Sequence, residues 1–288
     1  MIIHDPKNPR GLVWLASYPK SGNTWVRAFL YALHHVIKDD APEAIDINNM
    51  HGLTSNEQTA AFYVKYLGRP AVEARPQEIA AVRAKVQEDI YRSATGLVLV
   101  KTHNALVASH GFPLISQKIS AGAIYVVRNP LDVAISFAHF RAQPLDQIIT
   151  DMATPGFGAL TDENQVYYVA DTWSRHVETW TGRPNNVIHV VRYEDLLDRP
   201  AETFAAIAAH VLMGHTPKQL EMAIDLVSFE RLRAAEAKTG FNEKPSTAEA
   251  FFRAGRAGEW RRVLSAGQID RIVADHGEQM GRFGYLPD

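Results

Sequence analysis

One octapeptide, Tyr18-Pro19-Lys20-Ser21-Gly22-Asn23-Thr24-Trp25, packs a cation, two aliphatic hydroxyls and a glycine into a single turn. A turn of small residues at a helix start leaves backbone N–H groups unpaired, and their partial charge together with the helix dipole favours an anion. Lys20 adds a full charge, and Ser21 and Thr24 add donors, so the segment reads as a phosphate-binding loop. It is not a Walker A loop, in which the lysine follows the second glycine; here the loop's one glycine, Gly22, comes after the lysine. Nor does any strand end offer an obvious carboxylate for Mg²⁺, as a nucleotide-hydrolysing enzyme requires.

Further on, Lys101-Thr102-His103 joins a cation to an imidazole. A neutral hydroxyl is a poor nucleophile, and an imidazole with its ordinary pKa of about 6.5 can take the proton as a new bond forms. The plainer reading makes His103 a polar strand end, which most of the 12 histidines must be. Arg128, followed by Asn129-Pro130-Leu131-Asp132 and then by Ser136, supplies a guanidinium and a hydroxyl able to clamp a second phosphate.

The elements that must position these groups are legible. Leu12 to Ala16, Leu97 to Val100, Ile124 to Val127 and Val187 to Val191 are apolar runs of buried parallel strands, and each ends in polar or basic residues. Val26, Phe29, Leu30, Leu33 and Ile37 recur at helical spacing after the first strand, and Ile79, Val82, Val86 and Ile90 do so before the second. Asn129 caps and Pro130 opens a helix after the third strand; Pro200 opens another after the fourth. Strands alternating with helices predict an α/β fold, a single domain over residues 1–288 with a central, mainly parallel sheet flanked by helices and a P-loop-kinase-like phosphate loop after the first strand. Residues 1–10 read as a flexible N-terminus. Segments 41–68, 143–162 and 235–250 read as irregular, and long loops of this kind serve as lids or walls of an acceptor site.

The octapeptide resembles the 5′-phosphosulfate loop of the sulfotransferases that use 3′-phosphoadenosine 5′-phosphosulfate (PAPS), and the remaining motifs follow in that family's order. The resemblance implies that Lys20, Ser21, Gly22, Asn23 and Thr24 wrap the donor's phosphosulfate, that Lys20 assists the leaving phosphate oxygen, and that Trp25 lies against the adenine. Lys101-Thr102-His103 resembles the family's K-T-H, which makes His103 the general base. Arg128 and Ser136 match its 3′-phosphate motif, with Ser136 restraining Lys20 until the acceptor arrives. Arg192-Tyr193-Glu194-Asp195-Leu196 is similar to a motif whose tyrosine contacts adenine; the two carboxylates read as structural. Ser228-Phe229 matches a pair whose ring covers adenine, although alone Phe229 would be core. Phe251-Phe252-Arg253-Ala254-Gly255-Arg256-Ala257-Gly258-Glu259-Trp260 resembles R-K-G-x-x-G-D-W with its preceding residues, implying that Phe252, Arg253 and the N–H of Gly255 finish the nucleotide site. Ala254 stands where the family has lysine and Glu259 where it has aspartate; loss of the lysine's charge predicts a weaker 3′-phosphate grip unless Arg256 compensates through a different geometry.

Composition bounds the partners. A formal net charge of −2 leaves no global positive field for nucleic acid or an anionic membrane, so any anion site is local. The absence of cysteine excludes disulfides and thiolate metal sites, and no apolar run approaches the ~20 residues of a membrane helix. A cytoplasmic enzyme with PAPS as cosubstrate, adenosine 3′,5′-bisphosphate (PAP) as product and no metal is the expectation. Phe62, Tyr63, Tyr66, Phe140, Phe157, Tyr167, Tyr168 and Phe241 suit an apolar or aromatic small-molecule acceptor. A metal-dependent small-molecule kinase and a catalytically silent nucleotide-binding regulator are the competing readings, and monomer and homodimer both stay open.

Overall fold

The computed structural model describes residues 9–287. Of the N-terminal stretch expected to be flexible, residues 1–8 lie outside the described residues, and Arg10 places its guanidinium 4.6 Å from the ring of Tyr91. The strands are β1 (Gly11–Ser17), β2 (Thr54–Asn56), β3 (Leu97–Thr102), β4 (Ala108–Ser109), β5 (Phe112–Pro113), β6 (Ser120–Val127), β7 (Gly158–Ala159), β8 (Tyr168–Val169) and β9 (Ile188–Arg192). The helices are α1 (Asn23–Ile37), α2 (Ala61–Leu67), α3 (Pro76–Arg92), α4 (Pro130–Arg141), α5 (Leu145–Met152), α6 (Trp173–Thr181), α7 (Tyr193–Asp198), α8 (Pro200–His210), α9 (Pro217–Leu226), α10 (Phe229–Thr239), α11 (Trp260–Val263) and α12 (Ala266–Phe283). The chain forms two compact units, the first from residues up to 19, 54–125 and 151–190, the second from 20–53, 126–150 and 191 onward.

The first unit carries a five-stranded sheet of order β2-β3-β1-β6-β9, with β6 and β9 passing into the second unit at Val126 and Val191. β3 runs parallel to both of its neighbours, with Lys101 opposite Leu15 of β1 and Asn56 of β2. Every residue of β1 and β6 is buried. Coverage of both faces explains why these strands read as unbroken apolar runs rather than alternating ones. All four strands expected from the sequence are present. β2 was not foreseen, because Thr54-Ser55-Asn56 has no apolar run to announce it, and it lies with the whole of α2 inside the segment read as irregular, 41–68. Segment 143–162 likewise contains α5 and β7, and α10 extends into 235–250.

In the second unit α1 packs on α9, α9 on α8, and α4 on α11 and α12. The apolar stripe of α1 is buried, and Phe29 meets Phe204 of α8 with ring centroids 4.3 Å apart; truncating such a ring costs about 3–5 kcal/mol. α4 starts as the sequence dictates. The side chain of Asn129 accepts from the N–H of Leu131 at 3.0 Å, and Pro130 fills the first helical position, where no N–H is needed.

Candidate active site

The phosphate loop belongs to the second unit from Lys20 onward. Lys20 adopts φ 67°, a left-handed conformation that a lysine keeps only where its surroundings enforce it. Its Nζ lies 4.2 Å from the ring centroid of Phe140 and 3.9 Å from that of Phe251, so two aromatic faces hold the ammonium. Gly22, at φ 108°, precedes α1, and its carbonyl accepts from the N–H groups of Trp25 and Val26. A Cβ at Gly22 would sit 2.7 Å from the Tyr193 ring. α1 has no side-chain cap hydrogen bond and no acidic residue in its first turn, leaving the positive end of its dipole uncompensated by side chains.

Arg128 knits the loop to the C-terminal motif. Its Nη1 donates to the Lys20 carbonyl at 3.1 Å, its Nη2 to the Arg256 carbonyl at 3.2 Å, and its guanidinium lies 4.2 Å over the Tyr193 ring. Ser136 sits half-buried on α4, one helical turn before Phe140. Trp25 Nε1 donates to the carbonyl of Val227 at 2.9 Å, two residues before Phe229, and its ring meets Tyr193 and Phe204 edge-on. Ser228 precedes α10, and Phe229 lies so close to Gly255 that a Cβ there would fall 2.3 Å from the ring. Phe252 is buried beside Phe241 and Phe251. Within this unit Lys20, Gly22, Arg128, Tyr193 and the 251–256 segment are linked by direct contacts, whereas Lys101-Thr102-His103 belongs to the first unit.

Arg253 is engaged in a way the sequence did not show. Its two terminal nitrogens fork onto both oxygens of Glu259, which also receives Arg256 at 3.4 Å. The hydrogen bond from Arg253, ahead of the opposing effect of burial, holds the Glu259 carboxyl down at about 2. Two further carboxylates shape the segment. Glu236 accepts from the N–H groups of Phe251 and Phe252, and Asp132 from those of Gly258 and Trp260. Sequence reasoning missed both, since a helical Asp or Glu carries no mark of the distant backbone it will bind. Glu194, read as structural, spends its oxygens on the Asn129 N–H and the Tyr285 hydroxyl.

The first unit holds the second group of candidates. His103 follows β3, and its Nδ1 lies 2.9 Å from the carbonyl of Ser17 at the end of β1. A carbonyl only accepts, so Nδ1 carries the proton in that bond and Nε2 keeps a lone pair, the tautomer a base requires. Lys101 is buried, two residues earlier on the strand. His176 supports the turn from behind: Tyr125 donates to its Nδ1 at 2.8 Å, and its Nε2–H points to the His103 carbonyl at 3.3 Å. Burial first, with the neighbouring His103 adding to it, drives the His176 pKa down to about 3. The ring of Tyr168 stands 5.9 Å from that of His103.

The sulfotransferase-domain family model matches residues 10–284 of the chain. This chain belongs to the sulfotransferase family. Among its relatives, it is 23% identical to flavonol 3-sulfotransferase of Flaveria bidentis, over 95% of this chain and 83% of that one. It is 24% identical to cytosolic sulfotransferase 5 of Arabidopsis thaliana, over 93% and 80% respectively. Its fold is that of a solved retinol dehydratase in complex with androsterone and inactive cofactor PAP, with a TM-score of 0.64 at 17% identity over 95% of this chain and 82% of the other. The expectation of a PAPS-dependent sulfotransferase therefore stands, and the kinase reading falls.

The residues of this sulfotransferase fit such a donor. Ser21 Oγ and Arg128 Nε are buried yet have no hydrogen-bond partner among the described residues, and orphaned donors beside a helix N-terminus suit the oxygens of a phosphate or sulfate. Among the described residues no group of three or more His, Asp or Glu is arranged to hold a metal ion, and no helix is long and apolar enough to cross a membrane.

Proposed function

We propose that this sulfotransferase, acting as one domain over residues 1–288, transfers the sulfuryl group of PAPS in line to a hydroxyl or amine of a small-molecule acceptor, with His103 as general base. The observation that carries this reading is the loop at Lys20, with its buried Ser21 hydroxyl and the Arg128 guanidinium bonded to the loop's own carbonyl. PAPS supplies an activated sulfuryl group whose bond to the 5′-phosphate oxygen breaks as the acceptor's O–S or N–S bond forms.

His103 takes the acceptor's proton on Nε2, while its Nδ1–H, kept on the Ser17 carbonyl, fixes the tautomer and supports the imidazolium. Lys20 neutralises charge on the departing phosphate oxygen and Lys101 on the sulfuryl oxygens. Because a sulfuryl group carries less charge than a phosphoryl group, two lysines and backbone donors suffice. Ser21, Gly22, Asn23 and Thr24 cradle the phosphosulfate; Arg128, Ser136, Arg253 and the N–H of Gly255 hold the 3′-phosphate. Trp25, Tyr193, Ser228, Phe229 and Phe252 form the adenine site, and Ser136 steadies Lys20 before acceptor binds.

The acceptor is apolar or aromatic, a reading supported by Tyr168 beside His103 and by relatives whose names and complexes concern a flavonol and androsterone. Segments 41–68, 143–162 and 235–250 wall or cover its site. A relative named as cytosolic supports a cytoplasmic setting. The test is an acceptor screen with PAPS, read by mass spectrometry for gain of one sulfuryl group. Sulfated product from phenols or alcohols supports the reading; transfer from ATP–Mg²⁺ with none from PAPS overturns it.

A further inference from the structure

Glu57 stands one residue beyond β2 and is fully buried. A carboxylate in such a place persists only when neutralised and hydrogen-bonded. Arg83 of α3, equally buried, neutralises it through Oε2 at 2.8 Å and sends its other terminal nitrogen to the Tyr167 carbonyl at 2.7 Å. Burial works against the Arg83 charge, but the Glu57 carboxylate together with Tyr63 and Tyr167 outweighs it, and its pKa lies above the ordinary arginine value. That pairing would satisfy the fold.

The second oxygen does something else. Oε1 accepts from Asn104 Nδ2 at 2.7 Å and from Thr102 Oγ1 at 3.3 Å, the residues on either side of His103. Asn104 continues the line, its Oδ1 accepting from the N–H of Val169 at 2.9 Å, next to the Tyr168 whose ring faces His103. Thr102 and Asn104 turn to Glu57, while the imidazole between them turns to Ser17.

We propose that Glu57 is a positioning residue for His103: it pins the chain on both sides of the imidazole, fixes the direction of Nε2, and ties that direction through Asn104 to the Tyr168–Val169 strand. The proposal rests on the reading of His103 as the base. A geometric error of about 1 Å at a reacting group can cost about a hundredfold in rate, so the loss of these ties should appear in kcat and not in donor binding.

The test pairs a neutral replacement with a smaller cut. Glu57→Leu with Arg83→Leu removes both buried charges at once, which commonly preserves folding, and takes away the acceptor that Thr102 and Asn104 use. Asn104→Ala leaves the ion pair intact and decides the matter alone if the double variant does not fold. Both should bind PAP within about twofold of the parent, keep the KM for PAPS, and lose at least about tenfold in kcat. Either folded variant keeping kcat within twofold, or losing PAP affinity in step with kcat, overturns the proposal. His103→Ala measured alongside separates the two readings. If it retains full activity, the base assignment falls and this proposal with it; if it is inactive while the other variants are normal, only the role of Glu57 falls.

Discussion

The Arg253 guanidinium, proposed above to hold the donor's 3′-phosphate, is bonded to the Glu259 carboxylate. The uncharged Ala254 beside it adds no second cation. Ala254→Lys should therefore tighten PAP binding about fivefold to tenfold, given the 1.5–3 kcal/mol typical of hydrogen bonds to charged groups and some loss to solvent exposure. Unchanged affinity by calorimetric titration would show that Arg256 or the backbone already fills that role. Two rings and a left-handed backbone fix the Lys20 ammonium, and Lys20→Ala should slow turnover about a hundredfold or more, the scale of losing one oriented electrostatic contact. A normal rate would remove it from the mechanism.

At the scale of elements, one close backbone approach joins α10 to the C-terminal motif. Gly255, at φ 59°, lies under the Phe229 ring where a Cβ would come within 2.3 Å. Gly255→Ala must push that ring aside and strain the turn, for a loss of about 1–3 kcal/mol in stability and weaker PAP binding, checked by denaturant melts and titration. Helix α6 brings a different dependence through His176. Its folded pKa of about 3 lies below the ordinary histidine value, so between the two the unfolded chain binds more protons than the folded one. That stability is complete above about pH 6.5 and is lost as pH falls toward 3. Melting temperature should hold from pH 8 to 7 and decline below 6.5, with a shallower decline in His176→Gln; identical slopes would refute the assignment.

Across the molecule, the order of motifs was legible because strand ends, phosphate turn and helix caps are local in sequence. Leu12 to Ala16, the turn through Gly22, Asn129-Pro130 and His103 each declare themselves within a few residues. What was not legible is held by long-range polar contacts. β2 has no apolar signature, the Glu57 carboxylate meets partners 26 to 47 residues away, and Asp132 caps backbone 126 and 128 residues downstream. Spacing along a chain does not reveal which carboxylate will find which N–H. With a formal net charge of only −2, an anion site must be local rather than the product of a global field.

On the proposed reading, Lys20, Arg128 and their loop grip the spent donor by placed charges and backbone N–H groups without help from a metal. Calorimetric titration of PAP and of ATP–Mg²⁺ into the parent chain and into Arg128→Ala tests it most directly. PAP should bind the parent at least about tenfold more tightly than ATP–Mg²⁺ and lose about tenfold or more in Arg128→Ala, as expected for a charge-assisted phosphate contact. Tighter binding of ATP–Mg²⁺, or a PAP affinity indifferent to Arg128, would contradict it.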